Sequence, residues 1–408
     1  MSAWNIWEWS AVECGWALLL LGLGGLWFLL EIRLNRRFQM AIDESAAVEI
    51  KCMEGRRNAV SQKDEQKHPE VSVVVCIRNG EAHWSGLWQA LKEQSFSRAW
   101  EVVVVDDGSS DATPEMLQQS LKESVPFVLR TFRLEGSRPG KKDALSMGLS
   151  KAEGDYLLLT DVDGVPASAF WVELMTHALR AQQKDVVLGL SWPMLDSFEQ
   201  TGWLKMTQAL DAMRIARLYI GWAMGGQAYM GVGRNLAIRK SVHPGFESHA
   251  HVASGDDDLM IQELMRRGDV RIGTMVSRNA HVDSSLPDSW RGWAKQKKRH
   301  WSTARHYSFK HQWNLVKPSI LMAGMGCLIL VGLGRLNGDG VLHISLWIVA
   351  SLVGFIWMTG VLTFRLIAKA CQAPTKWQRA GWFQPLLFVW TLKTAIWTRL
   401  EKPTESSW

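Results

Sequence analysis

The sequence predicts an α/β fold, a mostly parallel, doubly wound sheet in the middle of the chain, with apolar helices near both ends. Three observations predict it. Short apolar runs that end in acids or a turn, "VSVVVCIRNG" (71–80), "VVVVDDGSSDAT" (102–113) and "DYLLLTDVDG" (155–164), alternate with segments of helical spacing. Four consecutive valines at 102–105 want cover on both faces, as strands of a parallel sheet do. Finally, "WALLLLGLGGLWFLL" (16–30) and "VLHISLWIVASLVGFIWMTGVLTF" (341–364) carry no Asp, Glu, Lys or Arg. Roughly 20 such residues cross the hydrocarbon of a bilayer.

The chain ends set the class. Trp4, Trp7 and Trp9 precede the first apolar run, which extends back to Ala11, and Arg33, Arg36 and Arg37 follow it. Tryptophan favours the membrane–water interface, and the basic flank favours the cytosolic side. A cleaved signal would carry its positive charge before the run, so a retained anchor at 11–30, with residues 1–10 outside, is expected. "PSILMAGMGCLILVGLGRL" lies between Lys317 and Leu336, and "NGDG" joins it to 341–364, so 316–336 and 341–364 read as a helical hairpin. Residues 382–397, with Pro385 and Lys393, read as an interfacial helix within a cytosolic tail (365–408). One N-terminal and two C-terminal transmembrane helices place the middle of the chain in the cytosol of a multi-pass inner-membrane protein. The five cysteines form no CxxC pair, which argues against a disulfide framework or a zinc site.

Between the spans, residues 31–69 read as a polar surface helix or linker, and 70–288 as the α/β domain. "GLWQALKEQ" (86–94), "TPEMLQQSLKE" (113–123, with Thr113 as N-cap) and "KKDALSMGLSKA" (141–152) are its first helices. Ligands of open α/β sheets bind beyond the carboxyl ends of the strands, and two strands here deliver acids to that edge. Asp161 and Asp163, two apart at a strand end, can turn toward one hard cation such as Mg²⁺ or Mn²⁺. A lone "DVDG" is ordinary turn chemistry, but "DDGSSDAT" on a neighbouring strand shifts the balance to a ligand. "SGDDDL" (254–259) begins a helix with three acids, more than capping by Ser254 or Asp256 requires, and a carboxylate there can serve as a general base. "SWRGWAKQKKRHWSTARHYSFK" (289–310) holds seven Lys/Arg and no acid, interleaved with aromatics. So close to a span, it favours membrane lipids over nucleic acid. A stripe at 203, 206, 210, 213 and 220 reads as packing, or as a lipid-facing helix that admits a lipid acceptor.

Taken together, these residues resemble a membrane-bound family 2 glycosyltransferase with the GT-A nucleotide-sugar fold. The resemblance spans roughly residues 70–305 and rests on motifs in the right order. It implies that Arg78, Glu81, Asp106, Asp107 and Lys141 bind the nucleotide, and that Asp161 and Asp163 hold Mg²⁺ or Mn²⁺. It aligns Asp256 with the catalytic base, leaving Asp257 or Asp258 open because Gly255 stands where the family has glutamate. Gln296 and Arg299, in "QKKRH" (296–300) followed by Trp301, match the family's Gln-x-x-Arg-Trp segment, in the basic interfacial stretch 289–312; His300 replaces the tryptophan. Cys76 and Gly80 are further departures. The implied activity is inverting transfer of a sugar from a nucleoside-diphosphate sugar, with UDP as the expected carrier, to a lipid-linked or glycan acceptor. A processive polysaccharide synthase is the alternative. A nucleotidyltransferase, or a membrane-anchored protein that binds anionic ligands, explains the ordered acids less well.

Overall fold

The computed structural model describes residues 11–58, 68–134, 140–194, 202–246, 252, 255–315, 317, 320, 321, 324, 325, 342–373 and 377–400. The first element resolves the expected surface helix or linker at 31–69 as helix up to Asn58, and corrects its place from the surface to a packed layer. Helix α1 runs unbroken over Ala11–Asn58, 48 residues. Its polar half packs because Leu34, Phe38, Ala41, Ser45, Val48 and Cys52 recur every three or four residues along one face, and all six are buried. The remainder of the expected linker, 59–67, lies outside the described residues.

The central sheet is built from β1 (Val71–Ile77), β2 (Trp100–Asp106), β3 (Val128–Arg133), β4 (Tyr156–Asp161), β6 (Val186–Gly189), β8 (Leu236–Arg239) and β9 (Ile272–Met275). Their spatial order is β3-β2-β1-β4-β8-β6-β9. Pairing is parallel except that β8 runs antiparallel to both β4 and β6. A second sheet joins β5 (Gly164–Pro166), β10 (Val282–Ser284) and β7 (Ser191–Pro193).

The valine runs are covered on both faces, as their composition requires. Val74, Cys76, Val103 and Val105 point to one face, toward α4 (Lys141–Lys151) and the layer formed by α6 (Trp203–Ala223) and α1. Val73, Val75, Val102 and Val104 point to the other, where α2 (Glu81–Lys92) and α5 (Trp171–Ala181) bury Trp84, Leu87, Trp171 and Met175. Helix α3 (Thr113–Ser120) is capped by Ala112, which corrects the assignment of Thr113. The Thr113 hydroxyl instead donates to Asp111 Oδ1 at 2.6 Å and accepts the Gly80 N–H at 2.8 Å.

Helix α7 (Asp256–Arg267) starts at the triple acid, and α8 (Trp290–Ala304) carries the basic aromatic segment. After them α9 (Leu342–Ala370) and α10 (Gln384–Leu400) return to α1 and α6. Two helical stretches, Leu18–Arg57 and Ala350–Ala370, are long and apolar enough to cross a membrane. Leu18, Leu19, Leu29, Phe355, Leu362 and Leu366 are exposed on them, whereas Leu20, Trp27 and Ile356 are buried together with Met325. Most of the expected span 316–336 lies outside the described residues. Pro385 occupies the first turn of α10, where its missing N–H costs nothing, and Trp390 of that helix stacks on Trp293 of α8 at 3.4 Å and 5°.

Candidate active site

Register explains why the acids meet. β1 lies between β2 and β4, pairing Ile77 with Asp106 and Cys76 with Asp161, so both acidic strand ends leave the same edge. Beyond that edge the two halves differ. Asp106 accepts the Ser109 N–H at 2.8 Å and sits 3.7 Å from the Arg133 guanidinium, which shapes the polar turn. Asp107 is fully buried, with Arg78 3.6 Å away. Among the described residues neither of its oxygens has a hydrogen bond, and burial pushes its carboxyl above the ordinary range. Glu81 is exposed at the start of α2 and accepts the Ala112 N–H at 3.3 Å, tying that helix to α3.

A cavity of 2290 Å³ opens on the other side of β1. It gathers Arg78, Lys141, Asp161, Asp163, Asp256, Asp257, Gln296 and Arg299 from the expected set. Glu81, Asp106 and Asp107 do not line it. Lys141 Nζ is 2.7 Å from Asp161 Oδ1, and Arg234 Nε is 3.8 Å from Oδ2. Burial works against the charge on Asp161, yet Lys141 and Arg234 outweigh it and hold the carboxyl below its usual range. Asp163, half-buried, faces the cavity beside them. Carboxylate oxygens with room for further oxygen ligands suit a hard divalent ion. Because Asp161 is already matched by two cations, Asp163 is the freer donor.

The three acids of α7 have different surroundings. Gly255 precedes them with φ +85°, a left-handed conformation, and a Cβ there would fall 1.9 Å from Thr303 Cγ2. That is why glycine stands in the place of glutamate. Gly255 is also the N-cap, which corrects the caps expected at Ser254 or Asp256; Ser254 lies outside the described residues. Asp256 is buried, with Oδ1 3.3 Å from Lys142 Nζ, and among the described residues no hydrogen bond reaches that oxygen. Asp257 accepts the Gly233 N–H at 2.8 Å; burial, aided by Asp161 and Asp256 and opposed by Lys141, pushes it up to about 6. Asp258 accepts the Tyr307 hydroxyl, and burial pushes it up to about 8.

Sequence reasoning missed several residues of this cavity. Lys142 was masked by its neighbour Lys141. Arg214 and Arg217 lie on α6, where Asp211 also sits, three residues apart in an apolar stripe, and that spacing was the available signal. Lys297 of α8 pairs with Asp211, and Arg217 makes a two-pronged pair with Glu31 of α1 at 2.5 and 3.1 Å. On α6, Met206, Leu210, Met213 and Ile220 are buried, whereas Trp203 at the head of the stripe is 71% exposed.

Residues 72–242 match the family model Glycosyl transferase family 2. A dolichyl-phosphate beta-glucosyltransferase of Dictyostelium discoideum is 26% identical over 167 residues, 38% of this chain and 51% of that protein. An undecaprenyl-phosphate 4-deoxy-4-formamido-L-arabinose transferase of Salmonella choleraesuis is 29% identical over 96 residues, 23% of this chain and 29% of that protein. The chain therefore spans about half, or less, of the length of these curated relatives. Among solved structures, the mannosyltransferase PcManGT from Pyrobaculum calidifontis, in complex with GDP-Man and Mn²⁺, shares the fold. It is 15% identical with a TM-score of 0.52, over 93% of this chain and 99% of that one. Within residues 72–242 the chain is thus similar in sequence to family 2 glycosyltransferases, and as a whole it shares its fold with a solved mannosyltransferase.

Proposed function

We propose that the chain is an inverting, metal-dependent glycosyltransferase that uses a nucleoside-diphosphate sugar, with UDP as the expected carrier. The acceptor is lipid-linked or a glycan, at the cytosolic face of the membrane, in cell-surface glycan assembly. The observation that carries this reading is the meeting of Asp161, Asp163, Lys141 and Asp256 in one cavity. Asp163, with Asp161 beside it, would hold Mg²⁺ or Mn²⁺, and the ion when bound would supply charge stabilisation for a departing diphosphate. Lys141, Arg234 and Arg299 stand on the same side and offer positive charge to the same group. Asp256 takes the proton from the acceptor as it attacks the anomeric carbon, with Lys142 Nζ 3.3 Å from its Oδ1 to orient the carboxylate. Asp257 and Asp258 each accept a hydrogen bond, from Gly233 and Tyr307, whereas Oδ1 of Asp256 accepts none among the described residues. Arg78, Glu81, Asp106 and Asp107 are assigned to the nucleoside side, with Gln296 and Arg299 closing the site from α8.

Purified protein in detergent, given a panel of nucleotide sugars with Mg²⁺ or Mn²⁺, should release nucleoside diphosphate with one donor and stop when the metal is chelated. Asp163→Ala should lose metal-dependent donor binding, whereas Asp106→Ala should weaken nucleoside recognition and keep metal affinity. Equal metal affinity in wild type and Asp163→Ala would remove Asp163 from its role, and no turnover of any donor would end the reading.

A further inference from the structure

Away from the cavity, α1 and α5 bring three ligand-type side chains together. Glu173 and His177 are four residues apart on α5, so they share one face of that helix. Cys52 of α1 meets them there: one ligand atom from each of the three residues lies within 4.8 Å of the other two. The Cys52 thiol donates to Glu173 Oε1 at 3.9 Å. None of the three lines the cavity, and α5 covers the face of the sheet opposite to α4.

Packing alone leaves two of these atoms unexplained. Glu173 is 4% exposed, yet its Oε2 has no hydrogen bond among the described residues, and neither has His177 Nε2. Buried polar atoms normally find partners, and here two that lack one belong to the same cluster. Their chemistry selects the ligand. Thiolate, imidazole and carboxylate together suit Zn²⁺, whereas Mg²⁺ and Mn²⁺ favour oxygen ligands. Zinc at ordinary bond lengths holds such atoms about 3.3–3.6 Å apart, so modest side-chain rotations close the site. The neighbouring cations have other partners. Arg98 is 3.4 Å from Glu173 Oε1 but pairs with Glu70 at 2.7 Å, and Arg56 donates to Ser95 at 2.8 Å. Burial, with Arg98 and Lys51, lowers His177 and keeps its ring in the neutral form that binds metal. Burial and Glu173 push the Cys52 thiol up to about 12, so an ion must displace that proton as it binds. We infer that Zn²⁺ binds between α1 and α5 through Cys52, Glu173 and His177, with water in the fourth position, and ties the N-terminal helix to the α/β domain. The lack of a CxxC pair does not exclude such a site, since Cys52 and Glu173 are 121 residues apart.

The test uses the full chain in detergent, stripped of metal with a chelator and titrated with Co²⁺ or Zn²⁺. Co²⁺ should produce a near-ultraviolet thiolate-to-cobalt charge-transfer band, which carboxylate sites elsewhere cannot give. Cys52→Ser should abolish the band, and Cys76→Ser, at the thiol beside Asp161, should keep it. Zn²⁺ should bleach the band by competition, release a proton and raise the melting temperature of the wild type. Since even outer-shell substitutions cost about 10–100-fold in metal affinity, His177→Gln and Glu173→Gln, which each remove a ligand, should weaken Zn²⁺ by at least ~100-fold. His177 is only half-buried, so His177→Gln tests the site without opening the core. A missing band, a band that survives Cys52→Ser, or equal Zn²⁺ affinity in wild type and His177→Gln overturns the site. None of these results bears on the glycosyltransferase reading, which donor turnover with Mg²⁺ or Mn²⁺ tests separately.

Discussion

Asp256, Asp257 and Asp258 share a sequence run but not an environment, and three substitutions separate their roles. Asp256→Asn keeps shape and removes the proton acceptor, so transfer should fall by at least ~10²-fold with donor binding retained, measured by steady-state kinetics and donor titration. Asp258 has its carboxyl raised from 3.8 to about 8, so the folded state holds the proton that the unfolded chain has released. The stability this confers is complete below the unfolded value and is lost as pH climbs through about 8. Asp258→Asn lacks that loss; its melting temperature relative to wild type should therefore rise between pH 4 and 8, and a pH-independent difference would contradict the assignment. Gly255→Glu restores the residue of the family motif and should destabilise the chain, because backbone conformation and Thr303 both oppose a side chain there. The acids themselves were legible as a run. Their partners Gly233, Tyr307 and Lys142 were not, since each comes from a distant part of the chain.

At the scale of elements, strands were the readable part. Short apolar runs ending in acids or a turn announced β1, β2 and β4 and the edge they share, because apolar composition and strand-end chemistry are local. The short strand in "GVGRNLAIRKS" (231–241) was legible as β8, whereas its antiparallel direction and the small second sheet depend on non-local pairing and left no comparable mark. The long α1 was only half read: its polar composition suggested a surface segment, while the buried spacing from Leu34 to Cys52 belongs to a packed helix. Its join to α6 is polar. Arg217 spans from α6 to Glu31 and to Asn35, whose amide donates to Thr363 of α9 at 3.0 Å. Removing one partner of a buried pair leaves the other charge stranded, at about 3–5 kcal/mol. Glu31→Ala should lower the melting temperature by several degrees, and Glu31→Met with Arg217→Met should recover most of it.

For the whole molecule, the topology proposed here makes a direct statement about compartments. Reporters fused after Met40 and after Gln372 should report cytosol, and one near Asn337 the opposite side. An exported Met40 fusion would separate the site from nucleotide sugars. Helix α1 ties this arrangement to the catalytic domain, since it contacts α5, α6 and β9 along its second half and α9 along its first. Residues 31–58 of that helix add about 40 Å at 1.5 Å per residue, without a break in which a joint could form. In the proposed topology, with its first half in the bilayer, such a helix would work as a ruler. It would set the carboxylates of the candidate site at one fixed height and so sort acceptors by the depth at which they present their reactive group as well as by their chemistry.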